Sequence, residues 1–421
     1  MNKVLVIGSG ISGLSISRML SSRYQVEIVE KDPRVGGMIK CDRVKGNLFH
    51  RVGGHVFNSR NQAVLDWFWS QFDKEGEFLK AQRNAKIQMN DQLIGYPIEN
   101  YIYQLPEEQL RPIFNELLDK LNDEKAKHEN YQNFKEFLIG TFGKELYALY
   151  FEPYNTKIWH TDLEFVPLAW LDGKLPMPNL REVIFSNVLK KEETSMVHAS
   201  FFYPRRGGSQ FIVDRLAQGL TVICSFQVNT IDIYPDKKLT VNNGDKIVSS
   251  IVYCGDIRVL HKIIQIEDIA LQQALLKVAD LPSNGTSNVL CETDDNDLSW
   301  LYLPENKFKA HRIIYTGNFS PTNNEGTTRK TCVVEFSGKQ DQSVMLEEIK
   351  QLPGNLKPLD FNYEPNSYII QHQTTREDIT LIKAHLKPYG IYLLGRFAEW
   401  EYYNMDKCIE AAMDLEGNYF Q

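Results

Sequence analysis

The chain has 421 residues, 43% of them hydrophobic and 24% charged, ordinary for a globular protein and long enough for a few packed domains. A formal net charge of -7 argues against an extended nucleic-acid surface, so no nucleic-acid polymer is expected as a partner. The scattered cysteines (Cys41, Cys224, Cys254, Cys291, Cys332 and Cys408) show no Cys-x-x-Cys or Cys/His spacing, so neither a disulfide framework nor a metal site is expected. No apolar run reaches membrane-span length and no signal peptide is read, so no membrane insertion and a cytoplasmic location are expected.

The chain opens on Val-Leu-Val-Ile-Gly-Ser-Gly-Ile-Ser-Gly, residues 4–13, which reads as a strand, a tight turn and a helix over Ile11–Leu20. Gly8 permits the turn, Gly10 lets the backbone approach a pyrophosphate, and Gly13 lets the helix lie close to the sheet. A second strand at 26–29 ends in Glu30, placed to accept a ribose hydroxyl. Asp32-Pro33-Arg34-Val35-Gly36-Gly37-Met38 then supplies an arginine and a glycine pair to close over the same phosphates, an order typical of FAD folds. Beyond it, Gly53-Gly54-His55 sets a histidine beside glycines that permit close approach to a flat cofactor, although a lone histidine also suits a core.

Residues 61–72 leave the dinucleotide unit, and 85–89 with 92–96 form a hairpin turned at Asn90-Asp91. Apolar residues recur at three and four from 105 to 150, predicting helices that use their stripes for core packing. Pro153-Tyr154-Asn155-Thr156-Lys157-Ile158-Trp159 follows, reading either as core or as an aromatic face for a sugar. The nucleotide fold resumes near Phe201 with Tyr203-Pro204-Arg205-Arg206-Gly207-Gly208 and a helix, then strands at 221–224, 228–234 and 251–254. A β-rich region is expected at 288–291, 300–303, 311–316, 331–336 and 367–372. A buried strand in 390–396 and a helix at about 405–413 return the chain to the first domain. Residues 417–421 read as a frayed tail.

These segments together resemble the UDP-galactopyranose mutase family, its eukaryotic-type branch most closely, within the FAD-dependent amine oxidase and protoporphyrinogen oxidase-like superfamily. The specific blocks are Pro153 to Trp159 and Trp300-Leu301-Tyr302-Leu303-Pro304-Glu305. Supporting them are Tyr96 to Asn100, Trp170 to Lys174 and Gly395-Arg396-Phe397. The match is poorest over 339–383.

The resemblance implies an α/β fold: a discontinuous Rossmann-like FAD-binding domain with a helical insert and an antiparallel β-sheet substrate domain. The expected boundaries are 1–80, 196–262 and 388–416 for FAD, 104–195 for the helices, and 81–103 with 263–387 for the sheet. It implies FAD contacts from Gly8, Gly10, Ile11, Ser12, Gly13, Glu30, Lys31, Arg34, Gly36, Gly37, Gly54, His55, Val228, Gly395, Arg396 and Met405. His55, Arg312 and Lys174 are the implied catalytic residues, with Arg312 clamping a diphosphate. Tyr96, Glu99, Asn155, Trp159, Tyr302, Tyr368, Tyr402 and Asn404 would bind a UDP-linked sugar; Tyr96, Tyr302 and Tyr402 also suit an amphipathic core.

The implied reaction interconverts pyranose and furanose sugars through attack of reduced-flavin N5 on the anomeric carbon, with NAD(P)H a candidate reductant. It would supply galactofuranose for cell-surface polysaccharide, and a homodimer is left open. The alternative is an FAD-dependent oxidase or desaturase, which has no need for tyrosines and cations to converge. Lys174 where the family has arginine, Glu99 where the eukaryotic-type branch has glutamine, and Asn404 near an acidic position of the bacterial branch leave the sugar and nucleotide open.

Overall fold

The computed structural model describes residues 2–122, 131–168, 179–191, 199–234 and 238–420. The apolar run at the amino terminus forms the strand Lys3–Ile7, the middle of a five-stranded parallel sheet. Gln25–Val29 and Thr221–Ile223 lie on one side, Ser250–Tyr253 and Ile391–Leu393 on the other. Its side chains alternate between two cores, as the twofold period of a strand requires. Val4 and Val6 join the helices Ile11–Leu20, Gly208–Ala217 and Met405–Tyr419. Leu5 and Ile7 face Ile269–Val278 and Thr375–Leu386. Those two helices, within the stretch expected for the sheet domain, therefore bury their apolar faces in the core of the parallel sheet.

A second sheet has seven strands, in the order Lys357–Ile369, Ser283–Thr293, Lys330–Ser337, Ala310–Ile314, Trp300–Tyr302, Ala85–Met89 and Gln92–Gly95. The expected hairpin is present, with Asn90 and Asp91 both at positive φ as a tight two-residue turn demands. One pairing departs from the antiparallel expectation: Trp300–Tyr302 runs parallel to Ala85–Met89. The strand expected at 367–372 instead runs over Lys357–Ile369. Pro358 and Pro365 mask it in sequence, but an edge strand tolerates prolines because one side of its backbone needs no partner.

The helical insert contains Glu107–Asn122, Phe134–Phe142, Glu152–Trp159 and Leu180–Val188. Just before Pro153 the backbone widens into a π turn over Tyr147–Phe151. Proline lacks an N–H and crowds the preceding turn, and a wider turn accommodates it. This fixes the rotation of the next helix, which carries Tyr154 and Trp159. The carboxyl terminus is not a frayed tail: the last helix continues to Tyr419, and buried Phe420 packs edge-on against Tyr24 and Tyr392. No helix among the described residues is long and apolar enough to cross a membrane.

Candidate active site

At the carboxyl end of Lys3–Ile7 the chain turns through Gly8, at φ +107, and starts the helix Ile11–Leu20 with no side-chain cap. The first N–H groups of that helix are thus left for an anion. A Cβ on Gly13 would lie 2.0 Å from the Gly8 carbonyl oxygen, so this glycine is dictated by close helix–turn packing. Gly37 faces Gly10 so closely that a Cβ on it would stand 3.2 Å from the Gly10 Cα, so the two glycine turns form one cradle.

Glu30 is buried at the tip of Gln25–Val29, where it accepts from Ser9 N (2.8 Å), Ser9 Oγ (2.6 Å) and Asp32 N (3.0 Å). Gly395 closes the far side, so near Ser12 that a Cβ there would meet Ser12 Oγ at 2.5 Å. Met405 is buried at the start of its helix and Lys31 is exposed. Val228 is buried, and its carbonyl accepts from Gln227 at 3.2 Å. Arg34 does not stand free over the cradle. Its guanidinium is paired with Asp42 and donates to the Cys41 carbonyl at 2.8 Å.

From the cradle the chain reaches Gly53, at φ +60, Gly54 and His55. A Cβ on Gly54 would strike Ile314 at 2.4 Å, and one on Gly53 would come within 3.7 Å of both Arg312 Nη2 and His55 Nε2. The His55 Nε2 atom is buried and has no hydrogen-bond partner among the described residues. Burial, with Arg396 and Arg312 adding to it against the opposing Glu335, lowers the imidazole pKa to about 4. At neutral pH this ring is uncharged.

Arg312 lies beside Tyr302 in the strand register. Its Nε and Nη2 donate to Glu335 Oε1 at 3.0 and 2.6 Å, and Nη2 also donates to the Tyr368 hydroxyl at 3.2 Å. The Nε–Nη2 edge of the guanidinium is therefore occupied by Glu335. Among the described residues Nη1 makes no hydrogen bond. Glu335 is fully buried; burial would raise its pKa, but Arg312 and the hydrogen bond from His311 hold it well below the carboxylate range.

Aromatic rings wall this space. Tyr96 stacks on Tyr302 with centroids 4.5 Å apart, and Tyr154 meets Tyr302 edge-on at 5.6 Å. Tyr368 and Tyr402 stack at 5.9 Å, with Trp159 at 5.8 Å from the first and 6.3 Å from the second. Trp159 is buried among them, as the core alternative in the sequence reading allowed. Arg396 lies over the Tyr402 ring at 4.3 Å.

One residue the sequence reading missed belongs here. Arg83 sits between the rings of Tyr96 (4.9 Å) and Trp300 (4.8 Å) and donates from Nη2 to the Tyr302 hydroxyl at 2.5 Å. Its Nε is buried without a partner among the described residues.

Residues 6–72 match the family described as an NAD(P)-binding Rossmann-like domain. Across 96% of its length the chain is 23% identical to UDP-galactopyranose mutase of Mycoplasma genitalium, covering 92% of that protein. A stretch covering 42% of this chain and 46% of its relative is 29% identical to dTDP-fucopyranose mutase of Escherichia coli. The crystal structure of reduced UDP-galactopyranose mutase matches with a TM-score of 0.86 and 21% identity, over 100% of this chain and 97% of that one. In sequence and in fold, the chain is similar to the UDP-galactopyranose mutases.

The residues that suggested the mutase resemblance do not all converge. His55, Arg312, Tyr96, Tyr302, Trp159, Tyr368, Tyr402 and Arg396 share one neighbourhood through the contacts above. Glu99 is near enough to Tyr96 to raise the pKa of its hydroxyl, behind the larger effect of burial and a second contribution from Tyr302. Asn155 turns its amide back onto the Phe151 carbonyl at 2.7 Å, one turn up its own helix, which is not the substrate contact expected of it. Asn404 is exposed at the N-cap of the last helix, where its side chain makes no capping bond. Lys174 lies outside the described residues.

Proposed function

We propose that this chain is an FAD-dependent nucleotide-sugar mutase that interconverts the pyranose and furanose forms of UDP-galactose. The observation that carries the reading is electrostatic. Arg83, Arg312 and Arg396 reach the tyrosine-walled site, and among the described residues neither Arg83 nor Arg396 has a carboxylate in an ion pair. Glu335 balances Arg312. The surplus of positive charge suits a ligand carrying two negative charges on a diphosphate.

The cradle residues fit a flavin dinucleotide. Gly10 leaves open space beside the cradle, Gly8, Gly13 and Gly37 let its turns and helix pack close together, and an uncapped helix start supplies N–H donors for the pyrophosphate. Bound and reduced, FAD would supply the nucleophilic nitrogen for the anomeric carbon. Everything else falls to the chain's own groups. Tyr96 and Tyr302 stack to hold the nucleotide end, Arg83 and Arg312 Nη1 hold the phosphates, and Trp159 with Tyr368 and Tyr402 excludes water from the sugar. Uncharged His55 adds no charge beside the reacting carbon.

NAD(P)H as reductant, a cytoplasmic site of action and supply of furanosyl donors for cell-surface polysaccharide belong to the same proposal. The six unpaired cysteines agree with a reducing compartment. The domain limits given above are likewise proposed, except that Ile269–Val278 and Thr375–Leu386, which pack on the parallel sheet, are assigned with it to the FAD-binding domain. The partial similarity to a dTDP-fucopyranose mutase makes the dTDP-linked sugar the second substrate to test.

The test is to release the cofactor for identification, reduce the protein with dithionite, and separate products formed from UDP-galactopyranose and dTDP-fucopyranose. Furanose product without stoichiometric use of reductant is expected. Sustained oxygen consumption matched to turnover would overturn the mutase reading in favour of an oxidase.

A further inference from the structure

The helix Glu152–Trp159 is fastened to the seven-stranded sheet by polar groups at the end that carries Trp159. Lys157 Nζ crosses to the exit of the strand Trp300–Tyr302 and donates to two main-chain carbonyls, that of Leu303 at 2.7 Å and that of Glu305 at 2.9 Å. The Ile158 carbonyl, among the last of the helix and so without a partner inside it, accepts from Asn284 Nδ2 at 2.6 Å and Ser337 Oγ at 3.2 Å, on the strands Ser283–Thr293 and Lys330–Ser337. Lys157 is half-buried, and burial draws its ammonium down to about 8 against the opposing Glu348 and Glu305. Hydrogen bonds from a charged donor shielded from water are strong and directional. The sheet side of this contact is fixed independently. Trp300–Tyr302 is paired along both edges, and Leu303 N donates to the His311 carbonyl at 2.9 Å, so the helix is the partner that the lysine places.

We propose that Lys157 is a positioning residue, which sets the helix carrying Tyr154 and Trp159 against the strand carrying Tyr302 and so aligns the wall around the sugar with the wall around the nucleotide. The inference rests on the nucleotide-sugar mutase reading and adds to it a residue that acts through its neighbours. Tyr154 lies one helical turn before Lys157 and meets the Tyr302 ring edge-on, while Trp159 follows Lys157 and packs against Tyr368 and Tyr402. Both rings travel with any shift of the helix. Tyr302 belongs to the sheet, and Arg83 and Tyr96 flank the hairpin of Ala85–Met89 and Gln92–Gly95, so the nucleotide end does not travel with it.

Lys157→Met isolates this role, because it keeps an unbranched apolar stem on the sheet and removes the donor to both carbonyls. Lys157→Gln, shorter and uncharged, serves as the second variant should the methionine protein fail to fold. Trp159→Phe, alone and combined with Lys157→Met, closes a double-mutant cycle that asks whether the lysine acts through the ring.

Each protein is assayed as the flavin-loaded full chain, by dithionite-activated turnover of the nucleotide sugar that the wild type converts, UDP-galactopyranose or dTDP-fucopyranose, and by calorimetric titration with the matching nucleoside diphosphate, which lacks the sugar. Lys157→Met is expected to lower kcat by about tenfold to a hundredfold, the scale of a slightly misplaced binding group, and to leave the Kd of the nucleoside diphosphate within about threefold. In the Trp159→Phe background the same substitution should cost much less. An unchanged kcat, a nucleotide affinity that falls in step with kcat, or strictly additive effects in the cycle would overturn the proposal. Loss of flavin and of folded protein in Lys157→Met and Lys157→Gln alike would also overturn it, making Lys157 a residue of the fold. A wild type that carries no flavin and converts neither nucleotide sugar would instead refute the mutase reading on which the inference stands.

Discussion

Replacing Arg83 with methionine separates a ligand-binding cation from a structural one, because the two roles predict effects of opposite kind. The methionine keeps an unbranched apolar stem between Tyr96 and Trp300 and removes only the guanidinium. The folded protein loses a charged hydrogen bond to Tyr302, worth about 1.5–3 kcal/mol, and two cation–π contacts of about 0.5–1 kcal/mol each. It is also relieved of a buried Nε that has no partner, and of a cation that has no carboxylate, among the described residues, a penalty of about 1–3 kcal/mol for the unsatisfied group alone. These terms nearly cancel, so stability should stay within about 2 kcal/mol of the wild type. Binding has no such compensation. A phosphate oxygen left without its charged partner costs about 2–5 kcal/mol, so the affinity for UDP should fall roughly 30-fold to several-thousand-fold. Urea unfolding and calorimetric titration with UDP, run on the same preparations, give the two numbers. An unchanged UDP affinity with a lowered unfolding midpoint would make Arg83 a strut and remove it from the anion site.

Arg312→Ala leaves Glu335 buried with only His311, Gly53 and Tyr368 around it, so unfolding free energy should drop by about 3 kcal/mol and turnover should vanish while FAD stays bound; a wild-type urea midpoint would contradict the ion pair. Gly13→Ala would force the Gly8 carbonyl away from a new Cβ, and the ratio of flavin to protein absorbance in the purified variant should fall steeply; full occupancy would sink the cradle assignment. Stability should also decline with acid. His50 and His55 have folded pKa values lowered to about 3 and about 4, chiefly by burial, so the unfolded chain binds more protons and their contribution, complete above about pH 6.5, is lost as pH falls toward 4. The Glu335 contribution is present above the unfolded carboxylate value and is lost only at lower pH still. Unfolding midpoints that are flat between pH 6.5 and 4.5 would show that these imidazoles are not buried neutral.

The nucleotide cradle was legible because its chemistry is local. Gly8, Gly10, Gly13 and Glu30 lie within one strand–turn–helix–strand unit, and each glycine is demanded by backbone geometry that recurs wherever a pyrophosphate is approached. The hairpin at Asn90-Asp91 was legible for the same reason. Arg34 shows where local reading ends. Its place after the second strand suggested phosphate, but strand pairing of Cys41–Val44 with Asn47–His50 holds Asp42 where it captures the guanidinium. Asn155 was taken by its own helix in the same way, since an amide side chain competes for the carbonyl one turn back.

The proposed anion site was only half legible because its decisive contacts are set by register. His311 and Arg312 are neighbours in sequence, and regular alternation would send them to opposite faces of their strand. Instead the pairing slips between Ala310 and Arg312, opposite Phe336 and Glu335, and both side chains reach the same carboxylate. An irregularity of this kind bends the strand and re-aims its side chains, and nothing in the residues His311-Arg312 announces it. Arg83 escaped for a related reason: it precedes Ala85–Met89, whose parallel pairing with Trp300–Tyr302 brings Tyr302 and Trp300 to it from far along the chain. The same register explains why the cations do not simply neutralise one another's partners. Glu335 arrives opposite Arg312, and among the described residues Arg83 and Arg396 face a wall of tyrosine hydroxyls and rings with no carboxylate in an ion pair, which is the arrangement on which the proposed diphosphate site rests.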